Sequence, residues 1–274
     1  MGRRYFGVGG WRSAMLAALL CLPCVAGAGD IRIGGTGNGL GTMRLLAAAF
    51  AQAHPESKPV VLDSIGTSGA FKALPKGAIE LGLSSRPLTE AETQSGLSAV
   101  EYARSPTVFA VQEKNQVAAI TAEQIADIYS GKLTHWPDGT VIRPILRQPG
   151  DDNTVQIKRL SAAIEKTLAV AEQRPGTAFA HNDQEAAAKM ESIPGSFGVT
   201  TVALIRSEKR QLKVLALDGV EPTPENAQSG RYPLVKRFFF VLPKEPAPAV
   251  HEFIRFVKSP AGSKILEQTG HTVP

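Results

Sequence analysis

Hydrophobic and polar residues near the start of the chain follow the order strand, glycine-rich turn, helix. Ile31-Arg32-Ile33 alternates as a strand does, and glycines then recur from Gly34 to Gly41. Apolar residues repeat with a helical period from Met43 to Phe50, so we predict a helix that begins near Leu40 and ends before Pro55. A turn of this kind leaves free backbone N–H groups at the helix start, where they and the helix dipole favour an anion.

The same unit recurs in the next fifty residues. A strand at 58–62 leads into the turn Gly66-Thr67-Ser68-Gly69 and a short helix, and a third strand at 79–83 ends at Ser84-Ser85-Arg86. Strands that alternate with helices indicate a parallel sheet with right-handed crossovers. Ligands bind such sheets at the carboxyl ends of the strands, so the three turns are expected to face one crevice.

The second half of the chain continues this alternation. Arg104 to Val111 is predicted to be a long strand that enters a second lobe, and Arg147 follows a strand at 142–146. The turn at 148–154 then starts a helix, for which Asp152 or Asn153 is the expected N-cap. Capping-box patterns predict two more helix starts, at Thr89 with Glu92 and at Thr121 with Gln124. Later segments are predicted as strands at 195–199, 212–217 and 238–242, a loop at 218–231, and helices at 247–257 and after Ser259.

The glycine-rich turns do not match the common phosphate-binding or catalytic motifs. Counting G-x-G-x-x-G from Gly35 or Gly37 puts Leu40 or Thr42 in the last place, and no Gly-Lys-Ser/Thr follows as a P-loop requires. A flexible turn therefore remains the alternative reading of the first glycine cluster. We predict a protein that is not an enzyme and has no cofactor or metal, with a hydrolase that uses Ser68 as nucleophile as the alternative. The five histidines are scattered and show no metal-ligand spacing.

The first 28 residues have the features of a secretory signal peptide. Three arginines precede an apolar run from Ala14 to Val25, and Ala26-Gly27-Ala28 offers small residues for cleavage. The Arg3-Arg4 pair leaves open whether export uses the general or the twin-arginine route. Both cysteines, Cys21 and Cys24, lie in this segment, so the mature chain is predicted to contain no thiol or disulfide.

Charge and length narrow the function further. The formal net charge is +5, but removing the three signal-peptide arginines leaves 27 basic and 25 acidic residues, a net charge of +2. This balance argues against a nucleic-acid partner. The remaining 246 residues, which are 274 less 28, suffice for two modest lobes or one large domain.

Three further motifs, in this order along the chain, resemble the periplasmic phosphate-binding proteins of bacterial ABC importers. They are Ile125 to Trp136, Gly195-Ser196-Phe197-Gly198 and Ser259-Pro260-Ala261-Gly262. The resemblance implies the α/β two-lobe periplasmic-binding-protein fold of type II, with a ligand cleft between lobes joined by two crossing strands. It implies one lobe at 29–104 and 236–274 and the other at 105–235. It also implies a periplasmic, monomeric protein that captures an inorganic oxyanion, phosphate first, for an inner-membrane ABC permease.

The resemblance also implies which residues hold the anion. They are Thr36, Gly37, Asn38, Gly39, Ser68, Gly69, Ser85, Arg86, Arg147, Asp151, Asp152, Asn153 and Thr154. The chain departs from the family pattern where Ser85 replaces an aspartate and Asp151 replaces a neutral hydroxyl. Asp151 or Asp152 is therefore expected either to accept a proton from the ligand or only to cap a helix. Arg86 is left open between ligand and lobe-to-lobe salt bridge, and sulfate, molybdate or a small carboxylate remain alternative ligands.

Overall fold

Eleven strands and eleven α-helices alternate along the part of the chain that the computed structural model describes, residues 1–2 and 30–274. Residues 3–28 of the predicted signal peptide lie outside the described residues. The strands are β1 (Ile31–Gly35), β2 (Pro59–Val61), β3 (Leu81–Ser84), β4 (Ser98–Gln112), β5 (Ala119–Ile120), β6 (Arg143–Arg147), β7 (Ala178–Ala180), β8 (Ser196–Thr201), β9 (Leu212–Val214), β10 (Ala216–Leu217) and β11 (Val235–Leu242).

The helices lie between these strands and at the end of the chain. They are α1 (Leu40–Ala53), α2 (Gly66–Ala73), α3 (Glu90–Gln94), α4 (Ala122–Ser130), α5 (Asp152–Lys158), α6 (Ala162–Gln173), α7 (Asp183–Ser192), α8 (Val202–Glu208), α9 (Pro224–Gln228), α10 (Pro248–Val257) and α11 (Pro260–Gln268). Within the described ranges, no helix has the length and apolar character that a membrane span needs.

One nine-stranded sheet runs through the described chain, in the order β2-β1-β3-β11-β4-β8-β6-β7, with β9 also paired to β4. The outer strands are parallel, since β1 pairs with β2 and β3, and β6 pairs with β7 and β8. The central strands are antiparallel, because β11 runs against both β3 and β4. The prediction of a parallel sheet is thus right for the two ends of the sheet and wrong for its centre.

The two central strands cross from one half of the molecule to the other. β4 is longer than predicted, and it pairs with β11 along residues 98–106 and with β8 along 107–111. Tyr102 on β4 packs in one hydrophobic core, whereas Phe109 on the same strand packs in another. This division agrees with an α/β fold of two lobes joined by two crossing strands. The predicted limits of the lobes, 29–104 with 236–274 and 105–235, stay a prediction.

Each core is built around stacked and edge-on aromatic rings. In the first, Phe50 of α1 meets Phe253 of α10 edge-on at 5.2 Å between ring centroids. In the second, Phe109 and Phe197 stack at 5.4 Å, and the Trp136 indole donates a hydrogen bond of 3.1 Å to the Gly195 carbonyl. That bond joins two of the three motifs that carried the family resemblance. Burying one such ring contributes about 1.5–3 kcal/mol to folding, so these two motifs stabilise a lobe. Neither motif supplies a residue to the ligand cleft that the next subsection describes.

Most predicted helix starts are confirmed. α1 begins at Leu40 after a 3-10 turn at Gly37–Gly39, and both predicted capping boxes are present. The predicted N-cap of α5 is wrong by one or two residues. Asp151 caps this helix through a 3.0 Å hydrogen bond from the Asn153 N–H, whereas Asp152 and Asn153 are already helical. The predicted loop at 218–231 contains the short helix α9, and the strand predicted at 212–217 is broken into β9 and β10.

Candidate functional site

A cleft of about 1060 Å³ lies where β1, β3, β6 and β7 end and where α2, α5 and α7 begin. This is the edge at which parallel sheets bind ligands. The predicted site residues that line it are Thr36, Asn38, Ser68, Ser85, Arg86, Arg147, Asp151, Asp152 and Asn153. The cleft therefore brings together residues from both halves of the chain.

Arg147, the last residue of β6, is a cation that lines the cleft. Its side chain is only 10% exposed, and its guanidinium donates to Asp151 Oδ2 at 2.6 Å and to Asp183 Oδ1 at 3.1 Å. The third nitrogen of its guanidinium, Nε, is buried and has no hydrogen-bond partner in the part of the chain that the structure describes. The planar fork of a guanidinium matches carboxylates and other oxyanions, so this position is suited to anion recognition.

Asp183 is the residue around which the donors of the cleft converge. Its Oδ2 accepts from the Asn38 N–H at 3.1 Å, and its Oδ1 accepts from the Asn153 side-chain amide at 3.2 Å as well as from Arg147. Burial raises the pKa of Asp183, and the charge of Arg147 opposes that rise. A buried carboxylate thus sits among a backbone N–H, an amide and a guanidinium, which is the donor set that an oxyanion requires.

The start of α7 places Asp183 there. Asn182 caps this helix by accepting from the Glu185 N–H, which puts Asp183 at the first helical position, where a negative charge is favoured. The neighbouring Gln184 donates to the Gly37 carbonyl at 2.8 Å. A Cβ on Gly37 would come within 2.7 Å of Asp183 Oδ2, so only glycine allows this close approach.

The two predicted aspartates of the α5 start have different partners. Asp151 both caps α5 and pairs with Arg147, so the alternatives of cap and cleft-facing group are combined in one residue. Asp152 pairs with Lys236 at 2.5 Å, and the Lys236 side chain is 1% exposed. Lys236 lies on the crossing strand β11 and lines the cleft. It is a second cation that the sequence analysis did not single out.

These groups form a single charged cluster. Arg147 and Lys236 contribute two positive charges, and Asp151, Asp152 and Asp183 contribute three negative charges when all are ionised. The cluster then carries a net charge of −1, which opposes an incoming anion. This repulsion is relieved if one carboxylate moves away or if a proton neutralises part of the negative charge.

The opposite wall of the cleft offers hydroxyl groups and the start of α2. The Thr67 hydroxyl accepts from the Ser85 N–H at 3.1 Å and lies 3.2 Å from the Ser85 hydroxyl. Ser68 lies in the same first turn, and the helix start at Gly66 lines the cleft. No side chain of the described residues caps this helix, so its first N–H groups lack a side-chain acceptor there. Thr67 was missed as a candidate although it lies beside Ser68 in the same turn.

Arg86 is held within its own half of the chain. Its guanidinium makes a bidentate pair with Glu92, at 2.8 Å for each bond, and lies 4.7 Å from the centre of the Phe71 ring. The hydrogen bond from Arg86 lowers the pKa of Glu92 to about 2. A salt bridge between lobes is therefore wrong for Arg86, because its partner Glu92 follows it by six residues. Arg86 still lines the cleft and stays a candidate ligand.

Four predicted residues do not line the cleft: Gly37, Gly39, Gly69 and Thr154. The Gly39 N–H donates to the Thr36 carbonyl at 3.3 Å inside the 3-10 turn. Gly69 packs against Ile65, where an added Cβ would lie 3.0 Å from the Ile65 Cβ. The predicted amide ligand at Asn153 is also engaged, since it donates to Asp151. The role of the thirteen residues as ligands stays a prediction.

A model of the PBP superfamily domain matches residues 25–261 of the chain. The chain belongs to this superfamily. Among its relatives, the phosphate-binding protein PstS of Borreliella burgdorferi is 27% identical over 215 residues, which cover 76% of this chain and 75% of the relative.

Two solved structures of PBP-type proteins extend the comparison. One is a candidate phosphate ABC transporter substrate-binding protein from Clostridium perfringens, with bound phosphate, at 25% identity and a TM-score of 0.74; it covers 90% of this chain and 100% of that one. The other is the periplasmic molybdate-binding protein of Azotobacter vinelandii, at 16% identity and a TM-score of 0.64, covering 89% and 99%. The second likeness concerns the fold alone. The two-lobe α/β fold of type II that the sequence predicted is thereby confirmed.

Proposed function

We propose that this member of the PBP superfamily captures phosphate in the cleft and delivers it to an ABC importer. The observation that carries the proposal is the convergence of Arg147, the Asn38 N–H and the Asn153 amide on one buried position, which a carboxylate occupies. Donors that hold the oxygens of one carboxylate so closely also suit another oxyanion whose oxygens have a similar arrangement. The names of the Borreliella and Clostridium relatives support phosphate as that oxyanion.

The two walls of the cleft can bind different faces of the anion. Arg147 and Asn153 belong to the β6 and α5 side, and Thr67, Ser68 and Ser85 belong to the opposite side. A tetrahedral anion between them would be bound by a full positive charge, by hydroxyl groups and by the N–H groups at the α2 start. Such binding draws the two lobes together, so we expect hinge closure about β4 and β11. This closure requires the predicted lobe limits, 29–104 with 236–274 and 105–235.

Delivery requires a membrane partner, because a protein that only binds an anion cannot move it across a bilayer. We propose an inner-membrane ABC permease as this partner, a periplasmic location after cleavage near Ala28, and a monomeric state. Mass spectrometry of the exported protein tests the first step, since an N-terminus at Met1 would refute cleavage. Phosphate uptake in a deletion strain tests the transport role, and unchanged uptake at limiting phosphate would refute it.

Selectivity for phosphate over sulfate is proposed to come from a carboxylate in the cleft. Asp151 and Asp152 line it, and an ionised carboxylate accepts a hydrogen bond from a protonated oxyanion but repels one that has no proton. Ser85 cannot supply this acceptor charge. Sulfate and molybdate are therefore expected to bind more weakly than phosphate.

Isothermal titration with phosphate, sulfate, molybdate and a small carboxylate tests the proposal. We expect one phosphate bound per chain, weaker binding of the other anions, and no chemical turnover of any of them. The hydrolase alternative is tested in the same samples with an activated ester and with the variant Ser68→Ala. Turnover that disappears in this variant would overturn the binding-protein assignment, and absence of heat with phosphate would overturn the choice of ligand.

A further inference from the structure

Asp183 stands out because its carboxylate takes the donors that an anion would need. The three bonds come from both halves of the chain, since Asn38 follows β1 whereas Arg147 and Asn153 belong to β6 and α5. Asp183 itself is 6% exposed and begins α7. A side chain in this position links the two predicted lobes through the anion-binding groups themselves.

One donor of the residues around Asp183 has no acceptor. Arg147 Nε is buried and has no hydrogen-bond partner among the described residues; the Asn153 Oδ1 acceptor is likewise buried and unpaired there. Leaving a buried donor unpaired is unfavourable, so an anion that accepts from Arg147 Nε would remove this cost. Asp183 fills only part of the site, and it adds the charge that brings the cluster to −1.

We propose that Asp183 is an internal competitor of the ligand, which an incoming oxyanion must displace from the Asn38 N–H and from Arg147. This inference rests on the proposed function, and it makes Asp183 the residue that sets the affinity of the protein for phosphate. When the carboxylate leaves, the cluster loses one negative charge and the three donors become available to the anion. The measured affinity is then lower than the intrinsic one by the fraction of chains in which Asp183 has left.

Removing the charge of Asp183 weakens the competitor without changing its size. Hydrogen bonds to an ionised acceptor are about twice as strong as neutral ones, so the amide of Asp183→Asn competes less well for Asn38 and Arg147. We expect this variant to bind phosphate about tenfold more tightly than the wild type, a change of about 1.4 kcal/mol. Asp183→Ala removes every bond of the competitor and is expected to change the affinity in the same direction.

A second measurement tests the contact without any ligand. Hydrogen exchange of the peptide at 36–41 reports on the Asn38 N–H, which Asp183 protects in the free protein. We expect exchange at this amide to be at least tenfold faster in Asp183→Asn and Asp183→Ala. Asp151→Asn is the matched control, because Asp151 pairs with the same arginine but makes no bond to Asn38 in the described chain. Exchange of the Asn38 amide should stay at the wild-type rate in this variant.

The outcomes separate the competitor from the other roles of an aspartate. Tighter phosphate binding together with faster exchange supports displacement. Weaker phosphate binding by Asp183→Asn with new binding of sulfate would overturn it, since Asp183 would then be a direct contact of the protonated ligand. Unchanged exchange in both variants would also overturn it. If neither the wild type nor the variants bind phosphate but exchange of the Asn38 amide is faster in the variants, the proposed function fails whereas the contact of Asp183 with Asn38 stands.

Discussion

Replacing Arg147 with alanine tests the centre of the candidate site. Arg147 is the only cation bonded to both Asp151 and Asp183 among the described residues, and its side chain is 10% exposed. Losing a hydrogen bond to a charged group costs about 1.5–3 kcal/mol, so phosphate affinity should fall about 10- to 150-fold. Removing one partner of a buried ion pair destabilises a protein by about 3–5 kcal/mol. Because water reaches the cleft, we expect the lower end of that range.

Titration calorimetry with phosphate measures the loss of affinity, and urea unfolding measures the loss of folding stability. Arg159→Ala is the matched control, because Arg159 lines the same cleft but is exposed and is not in an ion pair of the described chain. We expect this control to bind phosphate within about twofold of the wild type. Arg147→Lys keeps the positive charge but lacks the planar fork, so its phosphate affinity should lie between those of Arg147→Ala and Arg159→Ala. A folded Arg147→Ala variant with wild-type affinity would refute the assignment of Arg147.

Other consequences follow from single side chains. Asp151→Asn and Asp152→Asn should weaken phosphate binding about ten- to a hundredfold and admit sulfate, as measured by calorimetry; unchanged binding of both anions would leave these aspartates as structural groups only. Burial lowers the pKa of His271 to about 4, whereas the unfolded chain titrates near 6.5, so stability should fall as pH drops from about 6.5 to 4. His271→Asn should remove about 3 kcal/mol of this dependence, measured by denaturation at both pH values. Gly37→Ala should disturb the contact with Asp183 and speed exchange of the Asn38 amide.

Local patterns predicted the elements well because their causes are local. The helical period and the glycines predicted the start of α1 at Leu40, and the capping boxes at Thr89 and Thr121 predicted two helix starts. The position of Arg147 at a strand end also follows from the sequence. The antiparallel pairing of β4 with β11 could not be predicted in this way, because these strands lie more than a hundred residues apart and their pairing depends on the whole fold.

The residues that complete the site were harder to find. Asp183 and Lys236 lie in segments with ordinary helix and strand patterns, and only the tertiary structure brings them beside Arg147 and Asp152. One signal was available for Asp183, since it follows the short strand β7 and ligands bind at the carboxyl ends of parallel strands. No sequence signal marked Lys236, because a lysine on an apolar strand is usually exposed.

The structure of the protein crystallised with saturating phosphate tests the central claim most directly. We predict one phosphate between Arg147 and the hydroxyl groups of Thr67 and Ser85, with the Asn38 N–H bonded to the anion and the Asp183 carboxylate moved away from it. Phosphate bound elsewhere, or an empty cleft in which Asp183 still accepts the Asn38 N–H, would contradict the account.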